Sequence, residues 1–222
     1  MNNKTTIIGS GFSGLSAAIE LASQGMEVDV FEKNEKAGGR ARNFTADEFI
    51  FDMGPTWYWM PDIFENFFNK YGHTVTDFYE LKRIDPSYRM YFGKDDYFDV
   101  PANLEEIYNL FDSIEAGSSK NLRKFLKDAE FKYNIGINEV IHKPSKSIFE
   151  FMEPRLISGL FRLDFFRSIS SYVSEYFSNY KLQKLLEFPV LFLGATPQKT
   201  PALYSLMNYA DIVLGTWHPM GG

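Results

Sequence analysis

The feature that most constrains this chain is a glycine-rich turn close to its amino terminus. A β-branched run, Thr5-Thr6-Ile7-Ile8, leads directly into Gly9-Ser10-Gly11-Phe12-Ser13-Gly14, which has the spacing G-x-G-x-x-G. An amphipathic helix pattern follows, Gly25 ends it, and a second strand pattern finishes at Glu32. Because strand, turn, helix and acidic residue all occur in this order, the pattern predicts a βαβ unit that binds a dinucleotide.

Each part of this unit has a physical role. The first glycine permits the tight turn, the second lets the backbone approach a pyrophosphate, and the third lets the helix pack against the strand. The anion would lie at the helix amino terminus, where free N–H groups favour negative charge. The Glu32 carboxylate can accept hydrogen bonds from ribose hydroxyls and would repel a 2′-phosphate, so the sequence predicts NAD or FAD rather than NADP. A βαβ unit that uses its glycines only for packing is the alternative interpretation.

A second glycine-rich segment follows the acidic residue. Gly38-Gly39-Arg40-Ala41-Arg42 combines a glycine pair with two arginines. The glycines allow close approach of the backbone, and the guanidinium groups can donate to a doubly charged pyrophosphate. Alone, this segment could be a basic surface loop, but its position after a βαβ unit favours ligand binding.

These segments resemble those of the flavin amine oxidase and phytoene desaturase superfamily. Glu32-Lys33 with Gly38-Gly39-Arg40 is similar to its E-K-x-x-x-x-G-G-R stretch, and Phe51–Thr56 is similar to its F-D-x-G-P-T segment, which lies near the flavin ring. The resemblance implies FAD as the cofactor. The predicted cofactor-binding residues are Gly9, Ser10, Gly11, Ser13, Gly14, Glu32, Lys33, Gly39, Arg40, Arg42, Gly54, Pro55 and Thr56.

The carboxy-terminal segments resemble those of bacterial carotenoid desaturases, especially phytoene desaturase. Residues 215–222 are similar to a G-x-W-x-P-x-G-G segment that returns the chain from the substrate domain to the flavin domain. The resemblance implies an FAD-dependent enzyme that introduces C=C bonds into phytoene or a related polyene, held in an apolar channel. Candidate channel residues, each of which could equally belong to an ordinary core, are Trp57, Tyr58, Trp59, Phe188, Phe192 and Tyr204. No catalytic base is assigned.

We therefore predict an α/β fold in which an incomplete Rossmann-type FAD-binding domain carries an inserted α+β domain for substrate and membrane binding. Residues 1–75 form the first part of the FAD-binding domain, 76–214 the inserted domain, and 215–222 the start of the return. Two parallel strands joined by one helix do not complete a doubly wound sheet. We therefore expect an amino-terminal fragment that is inactive without a carboxy-terminal half.

Within the inserted domain the patterns predict a hairpin and two helices. The strands are expected at 88–92 and 97–100, and the helices at 104–111 and 118–140.

Composition restricts the partners. The chain of 222 residues is 45% apolar and 17% aromatic, and its formal net charge of −6 argues against nucleic-acid binding. It contains no cysteine, and its three histidines lack metal-ligand spacing, so no metal site is predicted. No apolar run is long enough to span a bilayer and the start lacks the apolar core of a signal peptide, so we expect a cytoplasmic location.

Residues 143–180 interleave aromatic and cationic side chains. Their first part, residues 143–167, contains five cations and three acids in an otherwise acidic chain. Apolar residues with a basic rim are typical of a helix lying in a membrane interface, and a helical lid over a buried core is the alternative. Because carotenoid desaturases take their substrate from lipid, the resemblance favours peripheral membrane contact.

Three other functions remain open at this point. Another FAD-dependent oxidoreductase of the amine oxidase superfamily could act on an amine, a retinoid or a downstream carotenoid. An NAD-dependent dehydrogenase is disfavoured by the Gly38-Gly39-Arg40 loop and would lack a yellow flavin absorbance. A non-catalytic lipid-binding fragment would bind membranes without flavin.

Overall fold

The computed structural model describes residues 4–137, 141, 146–147 and 163–221, and the chain divides into two compact units. The first unit consists of Met1–Lys82 with Trp217–Gly222, and the second of Arg83–Thr216. The chain thus enters and leaves the second unit slightly later than the sequence-based boundaries at residues 75 and 214.

A βαβ element opens the first unit. Strands β1 (Lys4–Ile8) and β2 (Glu27–Phe31) pair in parallel, and helix α1 (Phe12–Ser23) connects them. Gly25 follows the helix with φ +82°, a left-handed conformation that glycine adopts without strain. The strands, the turn and the helix stop therefore form where the sequence pattern predicts them.

The rest of the first unit consists of short antiparallel pairs and one helix. Strands β3 (Asn43–Ala46) and β4 (Phe49–Asp52) form a hairpin, and helix α2 (Pro61–Asn69) follows. Its proline lies in the first helical turn, where a missing N–H is tolerated. Strand β5 (Leu81–Arg83), at the boundary of the unit, pairs with β8 (Trp217–Pro219).

The second unit combines one hairpin with a group of helices. Its described regular elements are β6 (Tyr88–Tyr91), β7 (Tyr97–Val100), α3 (Leu104–Ile114), α4 (Ser118–Ile135), α5 (Ile169–Ser174), α6 (Tyr180–Glu187) and α7 (Leu206–Asn208). Short 3-10 segments lie at Phe188–Leu193 and Ala202–Ser205, and α7 continues into a π-helical turn at Tyr209–Leu214.

The hydrophobic core of the second unit lies where α3, α4, α5 and α6 meet. Each helix contributes apolar side chains at three- and four-residue spacing, among them Phe111, Leu122, Phe125, Val173 and Leu185, all almost completely buried. Burying such a side chain contributes about 1.5–3 kcal/mol, so these contacts supply the main stabilisation of the unit.

Two predicted segments extend past the described residues. Helix α4 ends at Ile135, the next two residues are π-helical, and residues 138–140 of the predicted helix lie outside the described residues. Of the aromatic and basic segment 143–180, residues 143–145 and 148–162 also lie outside them. In its described end, Ile169, Tyr172, Val173 and Phe177 are buried in the core, whereas Phe166 is fully exposed.

Candidate dinucleotide-binding site

The glycine-rich turn borders a cavity of about 530 Å³ in the first unit. The ends of both parallel strands, the residues after β2 and the arginine loop surround it. Its lining residues are Ile8, Gly9, Gly11, Phe31, Glu32, Lys33, Asn34, Gly39, Arg40, Arg42 and Met53. In parallel α/β sheets ligands bind beyond the carboxyl ends of the strands, and this cavity occupies that position.

Close backbone contacts shape the turn. A Cβ atom on Gly14 would lie 2.0 Å from the carbonyl oxygen of Gly9, so only glycine lets α1 pack this tightly on β1. A Cβ on Gly39 would lie 3.0 Å from the Cα of Gly11, because the arginine loop lies close against the turn. At Gly9 itself, added side-chain atoms would meet only open space. The backbone here leaves a cradle that side chains do not fill.

The first turn of α1 is suited to an anion. Its N-cap, Gly11, has no side chain to bond the free N–H groups, and no acidic residue occupies the first turn. These N–H groups carry the positive end of the helix dipole. A pyrophosphate fits this position because it supplies the acceptors and the negative charge that the turn lacks.

Glu32 is held by four hydrogen bonds from neighbouring residues. The Ser10 N–H and hydroxyl donate to Oε2 at 2.8 and 2.9 Å. The Asn34 N–H and side-chain amide donate to Oε1 at 3.0 and 2.6 Å. The donated bonds, led by that of the Ser10 N–H, lower the pKa of Glu32 to about 2. The carboxylate therefore stays ionised at neutral pH and ties the turn to the end of β2.

Two arginines line the cavity from the loop after β2. Arg42 Nη1 donates to the Gly39 carbonyl at 3.2 Å, which folds the loop around its own backbone. Arg40 is exposed on the same loop. Gly54 supports the loop from behind, since a Cβ there would lie 2.0 Å from the Arg40 carbonyl oxygen. The cavity thus has a carboxylate at one wall and guanidinium groups at another, which suits a ribose and a pyrophosphate together.

The structure brings together part of the predicted cofactor set. Those on the cavity wall are Gly9, Gly11, Glu32, Lys33, Gly39, Arg40 and Arg42. Ser10, Gly14 and Gly54 act from behind it, through the contacts described above. Ser13 lies in the first turn of α1, and Pro55 and Thr56 are exposed in the loop after β4.

Sequence reasoning missed four lining residues. Ile8 and Phe31 end the two parallel strands, a position from which they could have been inferred. Asn34 could have been found as an amide two residues beyond the carboxylate, close enough for its N–H groups to donate to Glu32. Met53 carries no comparable signal.

The aromatic channel candidates divide between the two units. In the first, the Trp57 and Trp59 rings stack at 6.0 Å, and the Tyr58 hydroxyl lies 2.8 Å from that of Tyr79. In the second, the Phe188 and Phe192 rings meet edge to face at 6.0 Å. Tyr204 packs, half-buried, against the helical core.

The backbone around Tyr58 is fixed by the return segment. Tyr58 N–H donates to the Trp217 carbonyl at 2.9 Å, and Trp217 N–H donates back at 3.1 Å. Burial raises the pKa of the Tyr58 hydroxyl, so it is neutral and can only donate or accept a hydrogen bond. The predicted return of residues 215–222 therefore brings Trp217 beside the segment that follows β4.

Comparison with known proteins agrees with this site. Residues 7–73 match the model of an NAD(P)-binding Rossmann-like domain, which covers the turn, Glu32 and the arginine loop. The chain is 37% identical over 218 residues to a carotenoid 3,4-desaturase of Haloarcula japonica, covering 98% of this chain and 44% of the relative. The chain is a homologue of the carotenoid desaturases.

A second relative supports the same conclusion. A 4,4′-diapophytoene desaturase of Staphylococcus aureus is 36% identical over 220 residues, covering 99% of this chain and 44% of the relative. This carotenoid desaturase homologue thus spans less than half the length of the curated relatives it matches.

Solved structures show the same fold at lower identity. Putrescine oxidase bound to putrescine superimposes with a TM-score of 0.57 at 16% identity, covering 99% of this chain and 47% of that chain. The homologue therefore shares the fold of the flavin amine oxidases, and at this identity the likeness concerns the fold alone. Within the described residues, no helix is both long and apolar enough to cross a bilayer.

Proposed function

We propose that the complete protein is an FAD-dependent carotenoid desaturase, an oxidoreductase acting on CH–CH groups that introduces C=C bonds into phytoene or a related polyene. The observation that carries the proposal is the cavity bounded by Gly9, Gly11, Glu32 and Arg40, in a chain homologous to carotenoid desaturases over 98% of its length. The two named relatives are both desaturases of carotenoids or their precursors.

The residues of the cavity bind and orient the dinucleotide. The first-turn N–H groups of α1 and the Arg40 and Arg42 guanidinium groups hold the pyrophosphate. Glu32 accepts hydrogen bonds from the adenosine ribose, sharing its oxygens with Ser10 and Asn34. When bound, the flavin ring supplies the hydride acceptor for a C–H bond of the substrate. The protein contributes orientation and an apolar environment.

The substrate in this proposal is a hydrocarbon that resides in lipid. We assign its channel to the aromatic candidates Trp57, Tyr58, Trp59, Phe188, Phe192 and Tyr204, because a polyene requires apolar and aromatic lining. Peripheral membrane contact through residues 143–180, from the cytoplasmic side, would deliver the substrate. Apolar residues mixed with cations in that segment support this assignment.

Co-expression of the complete gene with a phytoene-producing pathway tests the proposal. The expected result is a shift of the extracted pigments to longer wavelength, because each added C=C bond extends the conjugated chain. The same gene with Glu32→Ala should give less product from an equal amount of protein. Unchanged phytoene beside a well-folded, flavin-containing protein would contradict the proposed reaction.

The absorbance of the purified complete protein separates the alternatives. A yellow protein with stoichiometric flavin supports the flavoenzyme, whereas a colourless protein that oxidises a substrate with NAD would indicate a nicotinamide dehydrogenase. Membrane binding without flavin would indicate a lipid-binding protein.

A further inference from the structure

The outer face of helix α4 carries a straight line of lysines. The inner face contains Leu122, Phe125 and Ala129, all buried in the core. Because an α-helix turns 100° per residue, Lys120, Lys124 and Lys127 lie within about 40° of one line on the opposite side. We call these three residues the lysine stripe. They span about 10 Å along the helix axis at 1.5 Å per residue, and all three are exposed.

The stripe differs from the other cations of the same helix. Arg123 pairs with Glu105 at 3.1 Å and lies over the Tyr108 ring. Lys132 is completely buried between Asp128 and Asp164, at 2.7 and 2.9 Å. Among the described residues, no ion pair includes a lysine of the stripe. Its charge is therefore directed to solvent.

A shallow groove continues the stripe toward the end of α4. Its volume is about 520 Å³ and its lining residues are Lys124, Lys127, Asp128, Glu130, Phe131 and Asn134. Of the two acids, Asp128 pairs with Lys132 and accepts from the Tyr172 hydroxyl, whereas Glu130 accepts from the Tyr209 hydroxyl at 3.4 Å and keeps its charge. Phe131 and Asn134 continue the line of the stripe, so an apolar and an amide side chain follow the cations.

We propose that the lysine stripe is a docking surface for an anionic phospholipid bilayer. The chain as a whole is acidic, with a formal charge of −6, so attraction to a negative surface must come from a local cationic face. A straight row of lysines can contact a plane simultaneously, with the Phe131 ring at the level of the headgroups. This inference rests on the proposed function in one respect, that the substrate is taken from a membrane.

Vesicle co-sedimentation of the complete protein tests the surface. The probes are phosphatidylcholine vesicles with and without about one third phosphatidylglycerol, at low and moderate salt. Neutralising the stripe with Lys120→Gln, Lys124→Gln and Lys127→Gln should lower partitioning onto the anionic vesicles on the order of 100-fold. Each single variant should lower it about 5-fold, and binding to neutral vesicles should not change.

The matched control removes the same charge elsewhere. Lys82→Gln, Lys94→Gln and Lys199→Gln replace three exposed lysines outside α4 and should change partitioning less than about 3-fold. Equal losses in the two triple variants, or parent-like binding of the stripe variant, would overturn the proposal. Equally tight binding of the parent to a DNA duplex, lost in the stripe variant, would also overturn it.

Flavin content and pigment formation are measured on the same samples. If the parent lacks flavin or leaves phytoene unchanged, the proposed function fails. If the parent desaturates phytoene but the stripe variant binds vesicles as the parent does, only the proposed docking surface is wrong.

Discussion

The two units of this chain are stabilised in different ways. In the second unit, four helices bury a continuous set of apolar side chains, with Phe111, Leu122 and Phe125 completely inaccessible. In the described part of the first unit, Val75 is the one buried apolar residue, while Ile8 at the end of β1 is 90% exposed. Parallel sheets are normally covered on both faces, and here the two parallel strands are not.

The difference shows what holds each unit in shape. The first unit relies on close backbone contacts, such as Gly14 on Gly9, and on the Glu32 hydrogen bonds. Those determinants lie within a single βαβ unit. The second unit relies on side chains that are distant in sequence and meet only in the fold. Glu32 in the first unit has a lowered pKa, and the buried Asp211 in the second has a raised one.

Identical truncations in the two units should have very different effects. Phe111 is completely buried and Phe49 is 69% exposed. Phe111→Ala should lower the free energy of unfolding of the chain by about 3–5 kcal/mol because it leaves a cavity. Phe49→Ala should change it by less than about 0.5 kcal/mol. Urea unfolding followed by circular dichroism measures both, and equal losses would contradict the contrast between the units.

The glycine contacts of the first unit should be sensitive to a single methyl group. Gly14→Ala places a Cβ against the Gly9 carbonyl and should weaken flavin binding by about 3 kcal/mol, because α1 must move away from β1. Gly72→Ala is the control, because the added methyl group there meets no atom within 4 Å, although φ is +80°. That variant should retain flavin in the complete protein. Normal flavin content in Gly14→Ala would show that the close packing is dispensable.

Asp211 should make the second unit less stable as pH rises. Burial raises its pKa to about 6, although the Tyr88 and Thr216 hydroxyls donate to it at 2.5 and 2.9 Å. The pKa of an unfolded aspartate is about 3.9. At a pH between the unfolded and the folded pKa, the folded state therefore holds a proton that the unfolded state has lost. Stability should therefore fall by about 2–3 kcal/mol between about pH 4 and pH 6.

Asp211→Asn should remove this part of the pH dependence. The urea midpoint of the variant, compared with the parent at several pH values, isolates the contribution of this carboxyl group. An unchanged difference between acidic and neutral pH would show that Asp211 does not carry it.

Glu32 should show the opposite sign. Its pKa of about 2 lies below the unfolded value, so its contribution is present above about pH 4 and is lost as pH falls toward 2. Glu32→Gln should weaken flavin binding about 10- to 100-fold, because an amide nitrogen cannot accept from Ser10 or Asn34. The loss should be constant between about pH 5 and pH 8. Glu35→Gln, an exposed neighbour outside the cavity wall, is the matched control and should bind flavin normally.

Local patterns predict elements in both units, including the hairpin and the starts of α3 and α4 in the second, whereas contacts between distant residues do not follow from them. The β1–α1–β2 order, the stop at Gly25 and the cavity residues Gly9, Glu32 and Arg40 follow from local patterns. The burial of Lys132 does not, because one of its two partners, Asp164, is 32 residues away and only the fold joins them. The change from α-helix to π-helix after Ile135 does not follow from the pattern over 118–140 either.

Two local details of the structure do not follow from the sequence pattern. The segment Tyr209–Leu214 has an apolar periodicity close to that of an α-helix but forms a π-helical turn. Within this turn Asp211 contacts Tyr88 and Thr216. Whether the Asn34 side chain reaches Glu32 likewise depends on where β2 ends. The channel assignment of Trp57 and Phe192 stays a prediction.

An anaerobic half-reaction tests most directly the proposal that the complete protein oxidises a polyene with a bound flavin. The purified complete protein is mixed with phytoene in detergent or vesicles without oxygen, and the flavin absorbance is followed. The polyene should bleach the flavin and gain a C=C bond in equal amount, whereas a primary amine should not bleach it. Bleaching by the amine but not by phytoene, or oxidation of the polyene by a flavin-free protein, would contradict the account.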